Sequence, residues 1–163
     1  MDLAYTYEVD LNWKGGRKGL VSSNVLENAI DVATPPEFPG GVAGIWSPEH
    51  LLVAAVNSCL MTTFLAIADN SKLRFLYFEC HAKGKLEKLN GKYMISEILL
   101  QPVLTITDAA DNDKAEKVLR KSEAACLISN SVKATIKIRA EIKTAGTNMK
   151  QVIIIDHKNE AAA

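Results

Sequence analysis

A chain of 163 residues that is 48% hydrophobic and 23% charged is long enough to bury roughly 70% of its unfolded surface in one core, which excludes both an array of small stapled modules and a disordered chain. Its 19 basic and 19 acidic side chains cancel to a formal net charge of +0, so no basic surplus gathers phosphates and nucleic acid is not an expected partner. Cys59, Cys80 and Cys126 stand far apart with no C-x-x-C pair and no histidine at ligand spacing; this pattern predicts no metal site, and free thiols in a reducing cytoplasm.

From Tyr5 to Trp13 apolar odd positions alternate with polar even ones, which predicts a half-buried strand. The same first residues carry acids and no basic n-region, so they do not read as a secretory leader. Gly15, Gly16 and Gly19 mark a turn with Arg17 at its tip, and Leu20 to Val25 returns as a second strand. Thr34 to Gly44 is rich in Pro and Gly and reads as a loop. Ser47-Pro48 then opens a helix, with Ser as N-cap, Pro at the first helical position and Glu49 at the positive end of the dipole; the helix runs to about Asn70.

Leu51 to Ala68 within that helix carries no charge and has the length of a short membrane span. Asn57, Ser58, Cys59, Thr62 and Thr63 at its middle, and the lack of aromatic residues at both boundaries, favour a buried core helix, and no membrane is expected as a partner. Downstream, Leu76, Phe78, Cys80, Ala82 and Leu86 share one face of a strand, Asn90-Gly91 makes a hairpin turn, and a strand returns over Lys92 to Thr107 with Pro102 marking an edge or a bulge. Asp111 to Ala125 reads as an amphipathic helix. Val132 to Lys143 alternates cleanly as a strand, and Val152 to Ile155 adds a short one. The order predicts a single α+β domain over 1–163, with antiparallel sheets packed around a long buried central helix and a frayed tail over 156–163.

Taken one at a time, Cys59 and Cys126 read as small core residues on helices, Cys80 as a structural residue among apolar neighbours, and Arg17 as a solvated turn residue. Three strings change that reading: GGRKG in the first hairpin, SPEHLLVAAVNSCL in the central helix and EAACLISN at the end of the second helix. In order and approximate spacing the chain resembles the OsmC/Ohr family of hydroperoxide-reducing proteins over nearly its whole length. The resemblance implies an intertwined homodimer that reduces organic hydroperoxides with a cysteine pair, needing no bound cofactor and only an external dithiol reductant. By position it makes Cys59 the peroxide-attacking cysteine, Cys126 the resolving cysteine, Arg17 the family arginine and Glu49 the family glutamate. Leu127 departs from the Pro that many members carry after the second cysteine, and His50 is assigned no role.

The chemistry agrees with that assignment. A peroxide O–O bond is attacked by thiolate, and an apolar setting disfavours thiolate, so a cation such as Arg17, steadied by Glu49, is needed near the sulfur. Apolar Leu60, Met61 and Phe64 suit an alkyl hydroperoxide. Glu49 and Cys59 stand ten residues apart on one helix, ~15 Å of rise, so a Glu49 that reaches the thiol comes from a second copy packed antiparallel in an isologous dimer. A different class of function also fits: an OsmC-like ligand-binding or structural stress-response dimer whose cysteines do not turn over.

Overall fold

The computed structural model describes residues 4–157. The chain divides into two compact units, Met1–Leu51 and Leu52–Ala163.

In the first unit β1 (Asp10–Gly15), β2 (Lys18–Ser22) and β3 (Ile30–Ala33) form an antiparallel sheet in that order. The turn after β1 is built on Gly15 and Gly16, both at positive φ, where a side chain is strained. The alternation from Tyr5 continues into β1, but only Asp10 onward finds a partner strand; residues 4–9 are exposed and outside the ladder. The second strand ends at Ser22 rather than Val25. β3 is too short to show a period and exists through its pairing with β2. A compact loop follows, closed by backbone bonds from Phe38 N to Pro35 O (3.1 Å), Gly41 N to Phe38 O (2.9 Å) and Val42 N to Thr34 O (2.9 Å).

Helix α1 (Pro48–Asn70) starts where the sequence predicts. Ser47 Oγ accepts from His50 N at 3.3 Å and lies 2.8 Å from His50 Nδ1, which gives His50 a capping role.

The second unit is a four-stranded sheet in the order β4 (Phe75–Leu89), β5 (Lys92–Ile106), β6 (Thr135–Thr144), β7 (Lys150–His157), with α2 (Asn112–Ala125) between β5 and β6. Asn90 and Gly91 turn the β4–β5 hairpin at positive φ, as their sequence predicts. The α+β class holds, with one correction: β6 pairs with β5 in parallel, because the chain crosses over through α2, so this sheet is mixed rather than wholly antiparallel. Pro102 is a second correction. It lies in the interior strand β5, where the ladder to β6 breaks at Gln101 and Pro102 and resumes in the same register, so the missing amide is absorbed without a bulge. Leu76 is 63% exposed because the register shifts between Phe75 and Tyr77 and turns Phe75 inward.

The core of this unit lies between the sheet and one face of α1 together with α2. Val56, Leu60, Phe64 and Ala68 meet Ile98, Leu100, Leu104, Ile136, Ile138 and Ile142. Phe64 stacks on Phe78 at 4.6 Å and meets Phe75 edge-on at 5.2 Å. Gly84 lets α1 approach β4, since a methyl group there would stand 2.5 Å from Val53 Cγ2. By length and composition α1 could cross a bilayer; here one face of it builds this core. The opposite face differs from the buried-all-round expectation: Ser58, Met61, Thr62 and Leu65 are exposed and uncharged. The predicted terminal strand is longer than Val152 to Ile155, and of the tail expected to fray, 158–163 lies outside the described residues.

Candidate functional site

The four residues singled out from the sequence fall into two pairs, one in each unit. Arg17 and Glu49 line a single cavity of about 530 Å³ in the first unit, walled otherwise mainly by apolar side chains such as Leu11, Trp13, Val32 and Phe38. Arg17 comes from the turn between β1 and β2, where Trp13 Nε1 donates to Gly16 O at 3.0 Å and so steadies the tip. Its carbonyl accepts from Thr34 N at 3.2 Å, which ties the start of the Pro/Gly loop to this strand. The loop also limits the side chain: a methyl group at Gly40 would lie 3.2 Å from Arg17 Nε and 3.4 Å from its Cγ. Gly41 is held closer still, since its Cβ would run into the carbonyl of Pro35. Glu49, in the first turn of α1, has a buried Oε2 with no hydrogen-bond partner among the described residues. Arg17 and Glu49 share the cavity without forming an ion pair. Guanidinium, carboxylate and apolar walls together suit a ligand with a polar head and an alkyl body.

In the second unit Cys59 and Cys126 are both buried free thiols. Cys59 lies on the covered side of α1, with Thr63 Oγ1 4.0 Å from its sulfur. Cys126 is the C-cap of α2, its backbone already extended at ψ 104 and its N–H bonded to Glu123 O at 3.1 Å. The two thiols bear on one another, since Cys59 is among the groups that set the ionisation of Cys126. Burial, first, and the Cys59 thiol push the Cys126 thiol up from its ordinary range, while Ser129 pulls it back down. Ser129 Oγ donates to Cys126 Sγ at 3.1 Å. Leu127 is 64% exposed, and the turn that a proline would enforce is held by hydrogen bonds instead: Asn130 Nδ2 to Ala124 O at 3.2 Å and Ser131 Oγ to Leu127 O at 2.7 Å.

Cys80 belongs to neither pair. It sits on β4, where burial pushes its thiol up to about 12 against a smaller pull from the backbone at Gln101. A thiol kept protonated to that extent is a poor nucleophile, in line with its structural reading. Among the described residues no group of three or more His, Cys, Asp or Glu is arranged to hold a metal ion.

A profile of the family described as OsmC-like protein matches residues 41–141, from the Pro/Gly loop through both thiols and into β6. The chain belongs to the OsmC-like protein family. Among its relatives, an organic hydroperoxide resistance protein-like chain of Staphylococcus aureus (strain MSSA476) is 26% identical over 136 residues, 83% of this chain and 94% of the relative. The uncharacterized protein YmaD of Bacillus subtilis (strain 168) is 25% identical over 135 residues, 80% and 88% of the two chains. Among solved structures, an OsmC-like protein of unknown function from Vibrio cholerae superposes with a TM-score of 0.75 at 23% identity, over 85% of this chain and 99% of that one. An organic hydroperoxide resistance protein from Elizabethkingia anophelis gives 0.70 at 21% identity, over 88% and 99%. At such identities the superpositions establish the OsmC-like fold.

Sequence reasoning missed three parts of this OsmC-like chain's sites. Phe38 and Gly40 were legible only as loop residues, although Pro and Gly at that density signal a backbone held close to something. Ser129 carried no signal of its own, because its contact depends on the turn that follows Cys126.

Proposed function

We propose that the protein is a thiol peroxidase that reduces organic hydroperoxides. Cys59 attacks the terminal peroxide oxygen, releases the alcohol and becomes a sulfenic acid; Cys126 condenses with it to a disulfide and water, and an external dithiol restores both thiols. The observation that carries this reading is the pair of buried free thiols, Cys59 on α1 and Cys126 at the end of α2, the first bearing on the ionisation of the second, in an OsmC-like chain. Support also comes from the resistance-protein name of the Staphylococcus aureus relative. Arg17 favours the thiolate and holds the peroxide head, Glu49 orients Arg17 once substrate is bound, and the apolar wall takes the alkyl tail. Such thiols fit the reducing cytoplasm.

The working form is a homodimer. The exposed, uncharged stripe of α1 that includes Met61 and Leu65 supports it, since a second copy would cover what a soluble surface rarely leaves bare.

The test is hydroperoxide consumption under a dithiol, with mass spectrometry after one equivalent of peroxide. Wild type is expected to consume peroxide and form a Cys59–Cys126 disulfide, and Cys59→Ser to fall to background. Undiminished consumption in that variant, or two titratable thiols after peroxide, would overturn the reading in favour of a binding protein without turnover.

A further inference from the structure

We propose that Ser129 is a further catalytic residue, whose hydroxyl, donated to Cys126 Sγ, stabilises the charge that this sulfur carries when the disulfide forms and when it reopens. The inference rests on the peroxidase reading above and adds to it the group that controls the second half of the cycle.

The geometry is specific. Ser129 is 1% exposed, and its Oγ donates to Cys126 Sγ at 3.1 Å. A buried hydroxyl is thus aimed at the sulfur, an arrangement that favours a developing anion in a dry site. That donor opposes two influences on Cys126, its burial and the Cys59 thiol, which both favour the neutral form.

The hydroxyl is not needed to hold the turn. Asn130 N to Cys126 O at 3.1 Å, Ser131 N to Ile128 O at 3.0 Å and the side chains of Asn130 and Ser131 do that without it. Among the described residues the hydrogen bond recorded for the Ser129 hydroxyl goes to sulfur, so its chemistry is directed at Cys126.

In the resolving step the Cys126 sulfur attacks the Cys59 sulfenic acid. The S–S bond forms, the S–O bond breaks, and the departing hydroxide takes the Cys126 proton and leaves as water. Cys126 sulfur is oxidised and Cys59 sulfur reduced by the same amount. In the reopening step a thiolate of the dithiol attacks Cys59 Sγ, and the S–S electron pair leaves on Cys126 Sγ, where Ser129 receives it. The second thiol of the reductant then displaces Cys59, so the reductant ends as a disulfide and both cysteines as thiols. The better-stabilised thiolate is the better leaving group, so Ser129 also directs the reductant to Cys59.

The experiment is a single turnover with tert-butyl hydroperoxide, following peroxide loss, dimedone-trappable sulfenic acid on Cys59 and disulfide formation in wild type, Ser129→Ala and Ser122→Ala. Ser122 is the control, a buried serine on α2 whose Oγ donates to the backbone, to Val118 O at 2.6 Å. Ser129→Ala is expected to lose peroxide at the wild-type rate but to hold the sulfenic acid roughly tenfold to a hundredfold longer, the range for losing a hydrogen bond to a charged group. Ser122→Ala is expected to resolve like wild type. Ser129→Thr keeps the hydroxyl, and a folded Thr variant is expected to resolve quickly whatever the extra methyl does to stability. Wild-type resolution in Ser129→Ala, equal slowing in Ser122→Ala, or slow resolution in folded Ser129→Thr would each overturn the role of the hydroxyl and leave the peroxidase reading standing. A wild type that forms no sulfenic acid on Cys59 would overturn both.

Discussion

Gly40 and Gly44 have almost the same backbone, φ +77 and +78, but different surroundings: a Cβ at Gly40 meets the Arg17 side chain, and one at Gly44 meets nothing within 4 Å. Alanine at either position brings a similar backbone strain, so the difference between the variants isolates the contact with Arg17. Gly40→Ala is expected to slow peroxide attack several-fold more than Gly44→Ala, and the excess to vanish in an Arg17→Ala background; stopped-flow peroxide kinetics on the four proteins checks this. Cys80 supplies a pH prediction. Its thiol ionises near 9.0 when unconstrained and near 12 in the fold. Between those values the unfolded chain has released a proton that the folded chain keeps. The contribution is therefore fully present below the lower value and is lost as pH rises toward the upper one. At a pH of about 10.5 wild type should have lost up to about 2 kcal/mol through this group, and Cys80→Ala should show a correspondingly flatter alkaline decline in urea unfolding. Of these residue-scale features the partly buried place of Cys80 against the core was legible from its neighbours. The roles proposed for Arg17 and Glu49 came through the resemblance, and the Gly40 contact depends on a loop closure that no local pattern encodes.

The meeting of α1 and β4 is set by Gly84 and Val53, where backbone replaces side chain to let the helix close on the strand. Gly84→Ala is expected to destabilise the protein by about 1–3 kcal/mol, the usual cost of overpacking, and Val53→Ala to recover part of that loss in the double variant. Thermal or urea unfolding of the single and double variants checks the coupling. Elements with one buried face were readable: β6 alternates because Ile136, Ile138, Ala140 and Ile142 all face the core. α1 announced itself by its cap. β4 was readable only in part, since its two register shifts, at Phe75/Tyr77 and Lys85/Leu86, reverse which residues point inward and leave no trace in composition. Pro102 misled for the opposite reason, because an interior ladder can skip one bond when both flanking registers agree.

At the scale of the molecule, class and family were legible because three motifs and two periodicities agree. The parallel pairing of β5 with β6 was not, since it is decided by where α2 carries the chain. The proposed dimer also belongs here. Met61 and Leu65, 41% and 43% exposed, lie on the uncovered stripe of α1, and Met61→Glu would put a charge where the second copy is expected. Wild type should scatter light as a dimer and Met61→Glu as a monomer with unchanged helix content; a dimeric variant would move the interface elsewhere. The parallel pairing has a further consequence, for the order in which the chain assembles. β4 and β5 are joined by a two-residue turn and can zip locally, whereas β6 reaches β5 only after α2 has been made and docked, so its loop must close before any of its bonds form. Cys126 rides on that late crossover. The nascent chain therefore exposes Cys59 and Cys80 before Cys126, the thiol proposed to pair with Cys59, has arrived. A protein proposed to meet oxidants thus passes through a stage at which premature oxidation would join the wrong pair, so that on the proposed reading a reducing compartment would guard its folding as well as its turnover.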